Sequence, residues 1–439
     1  MDRDALALLD ADIRHRAFRL PERPGGPDPG RPWRALSAEG LPPVSRAGQP
    51  GGAPLVGVEV ELLPLDDDGA IAPIRGPEGS LACLTDLAAR RGWRESLSPT
   101  GSPQFEPGPE ETVSYEPGGQ IEYGTAAYAS ASRMLTRAAV VLRDLADAAE
   151  RRGLRLVALG MEPGRALADT SLQLTSDRYR RMDRYLASLG AAGPRMMRQT
   201  ASLQVNVDFG PDPLLSWRVA NDLAAPLTAM FASSPVYEGR PSGHVSYRAH
   251  AWRHLDPGRT GTFPPGGDPI GAYVRFALGA NWFLGPGAPA PFGDLLRHGE
   301  VGLDGWRTHL TTLFPEVRPR GWLEIRSCDA VAPDALAAPV ALLVGILHDP
   351  ATLAEAASVL PAATPERLAR AGREGLRDPA VAALARDIVR LGMRGARRLG
   401  PTRFDDAALA RADAFFSRFT LAGRSPADEV VAPARPASP

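Results

Sequence analysis

Acidic side chains at alternate positions along a short apolar run are the first sign of chemistry in this chain. In VGVEVEL, Glu59 and Glu61 share one face of an extended segment, and Val58, Val60 and Leu62 take the other. Two glutamates side by side repel each other, and burying them unpaired is costly. The pattern asks either for water or for a hard divalent ion such as Mg²⁺, which prefers carboxylate oxygens. YEPGGQIEYG, residues 115–124, adds Gln120 and Glu122 on one face, with Glu116 across a double glycine that lets the chain reverse tightly. TASLQVNVDFG sets Ser202, Gln204, Asn206 and Asp208 in front and Leu203, Val205, Val207 and Phe209 behind. GWLEIRSCD does the same with Glu324 and Arg326 in front of Leu323 and Ile325.

If these four segments are neighbours in one sheet, Glu59, Glu61, Glu116, Glu122 and Glu324 share a polar floor. So much negative charge calls for cations, and Mg²⁺ carrying phosphates supplies them. The bland alternative is a solvated sheet face. Arg178, Arg248, Arg259 and Arg326 flank the segments, and a guanidinium grips carboxylate or phosphate in a bidentate fork. His250 and His254 leave a second metal site open, although no third ligand has regular spacing; His309 reads as structural or substrate-contacting. The chemistry implied is attack of a carboxylate on the γ-phosphate of ATP, followed by displacement of phosphate by an amine. The protein's share of that work is charge neutralisation and alignment.

The elements that must position these residues can be read coarsely. PLVGVEVELLPL is a period-two strand, residues 80–91 a helix, and residues 102–124 two strands joined by polar turns. Residues 130–152 form a long helix closed by Gly153, followed by a strand in LRLVALGMEP. A helix ending at Gly190, the strand TASLQVNVDFG and a helix over 214–233 come next. SYRAHAWRHLDPGRTG reads as strand or loop running into a turn, and GWLEIRSCD as the last strong strand. Beyond Asp329 the pattern is helical. Strands separated as often by turns as by helices predict a largely antiparallel sheet. The divisions expected are an N-terminal extension or linker over 1–54, an α/β catalytic part over 55–330, a helical part of the same fold over 331–422 and a disordered tail over 423–439.

A formal net charge of −1 carries no nucleic-acid footprint. Cys83 and Cys328 suggest no disulfide framework or zinc motif. The charged N-terminus lacks the apolar stretch of a signal peptide, and the longest apolar runs are interrupted before membrane-spanning length. The expectation is a cytoplasmic enzyme of small molecules, with neither nucleic acid nor membrane as a partner. Neither a Rossmann fingerprint nor a Walker A lysine motif occurs.

Read in order, VGVEVE, YEPGGQIEYG, RMMRQTASLQVNVDFG, FASSPVYEGRPSG, SYRAHAWRHLDPGRTG and HLTTLFPEVRPRGWLEIRSCD resemble the plant and proteobacterial type of glutamate–cysteine ligase, including the actinobacterial branch that feeds ergothioneine synthesis. The resemblance runs over residues 55–400. It implies an α+β fold: a curved, mostly antiparallel sheet with helices outside, related to that of glutamine synthetase. It implies joining of the γ-carboxylate of L-glutamate to the amine of L-cysteine, with ATP as co-substrate and Mg²⁺ as cofactor, through a γ-glutamyl phosphate, in a monomer or homodimer. Carried over, Glu59, Glu61, Glu116, Glu122 and Glu324 become metal ligands, Gln204 and Asn206 face nucleotide and metal, and Arg326 contacts phosphates. Arg178 and Arg248 hold the glutamate substrate, and Arg326, Arg248 and Glu61 form the catalytic set. Tyr123 and Gly124 depart from the Leu-Ser pair of relatives, and YVRFALGANWFLGPG departs where relatives carry a proline. These departures leave open another acceptor amine. A phosphotransferase or a nucleotide-binding protein on the same fold is the further alternative.

Overall fold

A computed structural model of the chain describes residues 3–20, 52–263 and 266–430. Its centre is a nine-stranded sheet. The strands in chain order are β1 (Val56–Leu65), β2 (Arg94–Leu97), β3 (Pro103–Glu106), β4 (Thr112–Tyr115), β5 (Ile121–Gly124), β6 (Arg155–Val157) and β7 (Ser202–Val207). Two short ladders follow, β8 (Val236–Tyr237) with β9 (Arg240–Pro241) and β10 (Asn281–Trp282) with β11 (Ala290–Pro291). β12 (Val317–Pro319) and β13 (Leu323–Asp329) rejoin the main sheet. Its order is β12-β13-β7-β1-β5-β4-β3-β2, with β6 on the far end of β1, and every pairing is antiparallel.

The period of two decides which face is core. Val56, Val58, Val60 and Leu62 of β1, Leu203, Val205 and Val207 of β7, and Leu323 and Ile325 of β13 are all buried in one cluster. Helices close over that side. Ala131–Glu150 starts at Ser130, whose hydroxyl accepts from the Arg133 amide, and lies against β1. Ala337–Leu347 lies against β7, and every one of its residues is buried. A helix apolar all round must be enclosed, and here Pro379–Arg398 and Asp406–Arg418 enclose it. Among the described residues no single helix is long and apolar enough to cross a membrane. The expected α+β class is thus observed: an antiparallel sheet, helices outside it and a helical C-terminal part.

Several local expectations need correcting. Residues 103–124 hold three strands rather than two, because the turn at 107–111 separates β3 from β4. SYRAHAWRH is not strand or loop: Tyr247–Arg253 is a helix whose N-cap, Ser246, accepts from the Ala249 amide at 3.0 Å. The single helix expected over 214–233 is two, Pro213–Asp222 and Ala224–Met230. Pro226 has no N–H to give the Asp222 carbonyl, so the first helix cannot run on. The expected tail is not disordered over 423–430. Ala427 is buried there, and Asp428 and Glu429 pair with Arg377 and Arg418; residues 431–439 lie outside the described residues. At the other end a helix, Arg3–Asp12, passes into a π-helical turn, Ile13–Ala17. Leu9, Ile13, Ala17 and Phe18 join the main core, whereas the linker expected over 20–54 falls mostly outside the described residues.

Candidate active site

The polar side of the sheet forms the floor of a cleft of about 250 Å³. Register brings the acids to it. On β1, Glu61 lies directly opposite Glu122 of β5, and Glu59 opposite Gln204 of β7. Like charges facing across an antiparallel pair destabilise it. Glu116 arrives on the turn before β5, where the Gly119 amide donates to the Glu116 carbonyl at 2.9 Å. Gly119 has φ +97°, a region that favours glycine. At Gly118 a Cβ would sit 2.1 Å from the Arg198 carbonyl oxygen, so the double glycine also permits a close backbone approach. Gln120 clamps the turn, accepting from the Gly118 amide at 3.0 Å and donating to the Thr200 carbonyl at 2.7 Å. Gln173 braces the outer side by donating to the Gly118 carbonyl at 2.7 Å.

Arginines face these acids. Arg178, Arg248, Arg318 and Arg326 line the cleft together with Glu59, Glu61, Glu116 and Glu122. Arg326 Nη1 donates to Gln204 at 2.7 Å and to Glu324 at 3.0 Å. Arg248 Nη2 donates to the Arg326 carbonyl at 3.0 Å. Both guanidiniums sit over the Trp252 ring, at 5.0 and 5.4 Å. The Nε atoms of Arg248 and Arg326 are buried with no hydrogen-bond partner, which is costly unless a ligand accepts from them. Arg178 Nη2 donates to the Thr311 hydroxyl at 2.9 Å.

Charge within the cleft is out of balance. Burial, then the neighbouring charge of Glu61, pushes the Glu116 carboxyl up to about 8. Burial and the charges of Glu116, Glu59 and Glu61 hold Glu122 well above the usual carboxylate range. Glu59 is raised by burial and by Glu324. Glu61 is better supported, accepting from the Ser202 amide at 2.7 Å and from Gln204 at 3.1 Å. Carboxyls crowded in a buried cleft are a donor set that suits a hard divalent cation. Among the described residues no three of His, Cys, Asp and Glu already stand where a single ion would bridge them.

Not every expected residue reaches the cleft. Glu324 is wholly buried beside it, and its carboxylate lowers its pKa by pairing with Arg318, Arg320 and Arg326. Asn206 stands behind Glu59, donating to it at 3.0 Å and accepting from Trp322 Nε1 at 3.1 Å. Asp208 accepts from the Leu55 amide and meets Arg19, away from the floor. Arg259 is a core anchor, fully buried between Asp256 and the Thr312 carbonyl. The rings of His244, His250 and His254 lie tilted against one another, centroids 4.4 and 4.3 Å apart, outside the cleft, and His309 is a core residue bonded to the Ala277 carbonyl at 2.8 Å. Tyr123 points into the core and is fully buried, so its departure from the Leu-Ser pattern does not alter the cleft wall. Sequence reasoning missed Arg318 and an apolar wall of Met182, Met196, Met197, Trp252 and Phe314. Arg318 had a signal: VRPRGWLE places it on the strand preceding Glu324. The methionines had none, because Met182 comes from the helix Asp177–Leu189 and Met196 and Met197 from Ala192–Gln199, and only the packing of the two helices brings them together.

A floor of acids facing arginines, on an antiparallel sheet, suits a metal-bound polyphosphate beside an acidic substrate. A family model described as glutamate–cysteine ligase family 2 matches residues 55–431. The chain is 34% identical over 392 residues to glutamate–cysteine ligase EgtA of Mycolicibacterium smegmatis, covering 82% of this chain and 87% of that protein. It is 30% identical over 350 residues to the chloroplastic glutamate–cysteine ligase B of Oryza sativa subsp. japonica, covering 72% of this chain and 69% of the relative. With the chloroplastic glutamate–cysteine ligase of Medicago truncatula it shares 31% over 309 residues, covering 65% of this chain and 59% of the relative. In fold it is similar to a glutamate–cysteine ligase from Francisella tularensis solved with AMP, with a TM-score of 0.50, 13% identity and coverage of 86% and 84%. The chain belongs to glutamate–cysteine ligase family 2.

Proposed function

We propose that this chain is an ATP-dependent ligase joining the γ-carboxylate of L-glutamate to the amine of L-cysteine. One glutamate carboxylate oxygen attacks the γ-phosphorus of ATP, the bond to the β,γ-bridging oxygen breaks, and ADP leaves. The cysteine amine then attacks the acyl carbon of γ-glutamyl phosphate and expels phosphate, giving γ-glutamylcysteine. The observation that carries this reading is the convergence of Glu59, Glu61, Glu116 and Glu122 on one cleft wall facing Arg178, Arg248, Arg318 and Arg326.

Each group has work suited to its chemistry. Glu59, Glu61, Glu116 and Glu122 would hold Mg²⁺, which when bound supplies positive charge to the triphosphate. Arg326 and Arg318 would contact phosphate oxygens, and Glu324, outside the cleft, holds both guanidiniums in place. Gln204 and Asn206 keep Glu61 and Glu59 aimed at the nucleotide side. Arg178 and Arg248 hold the glutamate carboxylates, and desolvation of such pairs strengthens the grip. The wall of three methionines, Trp252 and Phe314 suits a thiol-bearing acceptor, because sulfur packs favourably on soft and aromatic surfaces.

The test is ADP release that depends on L-glutamate and L-cysteine together, with mass spectrometry of the product. γ-Glutamylcysteine is expected. Folded protein with Mg²⁺ that releases no ADP with any amine would end the ligase reading, and a phosphorylated product without amide would replace it with a phosphotransferase.

A further inference from the structure

Asp329 ends β13, five residues beyond Glu324, and does not line the cleft. It is almost fully buried. Its Oδ2 accepts from the Ser233 amide at 2.9 Å and from the Ser234 hydroxyl at 2.7 Å. Oδ1 accepts from the Ser246 hydroxyl at 2.8 Å and faces Arg248 Nη1 at 3.8 Å. The same hydroxyls reach further. Ser234 Oγ accepts from the Arg248 amide at 3.2 Å, and Ser246 Oγ caps the helix that carries Arg248. Even the space is reserved: a Cβ on Gly160 would lie 2.4 Å from the Asp329 carboxyl carbon.

An asparagine would still accept from the Ser233 amide and the Ser234 hydroxyl on one oxygen, and would lose only the bond from Ser246. Burial pushes the Asp329 carboxyl up and Arg248 is the largest influence holding it down, since a buried carboxylate is costly without a cation. Among the described residues Arg248 is the cation that pairs with it. Arg248 in turn is held by Asp329, by the Arg326 carbonyl and by the Trp252 face, which leaves its buried Nε unclaimed. We propose that Asp329 is a positioning residue for the acidic substrate: it fixes the plane of the Arg248 guanidinium so that its free edge meets a substrate carboxylate as a preset fork. The proposal rests on the reading of Arg248 as a glutamate contact. It assigns Asp329 no contact with substrate or nucleotide.

Steady-state kinetics of Asp329→Asn, Arg248→Lys and the double variant test it. Asp329→Asn is expected to raise KM for glutamate about tenfold while KM for ATP stays within about twofold, since loss of orientation acts on one ligand. The double variant is expected to be no worse than Arg248→Lys alone, because Asp329 acts through Arg248. Equal rises for both substrates, or multiplicative losses in the double variant, would overturn the proposal and leave Asp329 a core residue. Should Asp329→Asn not accumulate as folded protein, Gly160→Ala presses on the same carboxylate and carries the same readout. Wild-type protein without glutamate-dependent ADP release would instead strike the ligase reading, so the two failures are distinguishable.

Discussion

Glu122 faces Glu61 across the β1–β5 pair, and burial with the charges of Glu116, Glu59 and Glu61 holds its carboxyl well above the usual carboxylate range. Glu122→Gln separates the work of this carboxyl in turnover from its cost to stability. Turnover is expected to fall about 100-fold or more, while the melting temperature of the ligand-free protein holds or rises, because an amide stays uncharged in this buried acidic site at any pH. A coupled ADP assay and a thermal melt on the same preparation check both halves; unchanged turnover would remove Glu122 from the site. Arg326→Lys keeps the charge but loses the fork and the partnerless Nε. It is expected to lower kcat/KM for ATP about 100-fold, measured at saturating glutamate and cysteine. The acids and Arg326 were legible as residues because alternation along a strand is a local property. The engagement of Glu324 by three arginines was not, since Arg318 meets it across the β12–β13 pair and Arg320 from the turn between those strands.

Two elements depend on glycine for reasons that differ. In the turn before β5, Gly119→Ala meets both a left-handed backbone and the Gln173 amide, 2.5 Å from the new Cβ. Glu116 would shift with the turn, so a loss of activity larger than the loss of stability is expected, read by comparing kcat with the urea midpoint. In the C-terminal helices the glycines permit contact. A Cβ on Gly345 would lie 2.1 Å from the Gly392 carbonyl oxygen, where Ala337–Leu347 crosses Pro379–Arg398. Gly345→Ala is expected to cost about 2–3 kcal/mol or more, seen as a lower urea midpoint at unchanged slope; an unchanged midpoint would show that the crossing relaxes freely. Long elements with strong periodicity, β1 and the helix Ala131–Glu150, were readable from the sequence. The helix Tyr247–Arg253 was not, because seven residues give too few turns to display a period and its start rests on one serine hydroxyl.

The whole molecule titrates in two opposed directions. His309 and His348 are buried and neutral, pushed down to about 3 and about 4 by burial. Both lie below the unfolded imidazole at about 6.5, so their contribution is complete above that pH and is lost as pH falls through the folded values. Glu116 and Glu162 lie on the other side, pushed up to about 8 and about 7 mainly by burial. They retain protons that the unfolded chain releases near pH 4.5, so their contribution is complete below that value and is lost as pH rises through 7 and 8. The ligand-free protein is expected to melt highest at roughly pH 5–7 and lower on either side. Mg²⁺ with ATP should raise the melting temperature most at the alkaline end, where the cation meets ionised acids and need not displace protons. Thermal melts across pH, with and without Mg²⁺ and ATP, measure this; a gain that does not grow with pH would detach the cleft acids from the cation.

By itself the sequence determined the long strands, their polar and apolar faces, a set of five acids of which four reach the cleft, and the family resemblance, because each is written in spacings of two or four residues or in short ordered motifs. Only the tertiary structure decided that Glu61 meets Glu122, that Glu324 is enclosed by arginines, that three methionines share one wall and that Asp329 holds Arg248. Those relations depend on which distant segments become neighbours, and that follows from strand pairing and burial across the whole core.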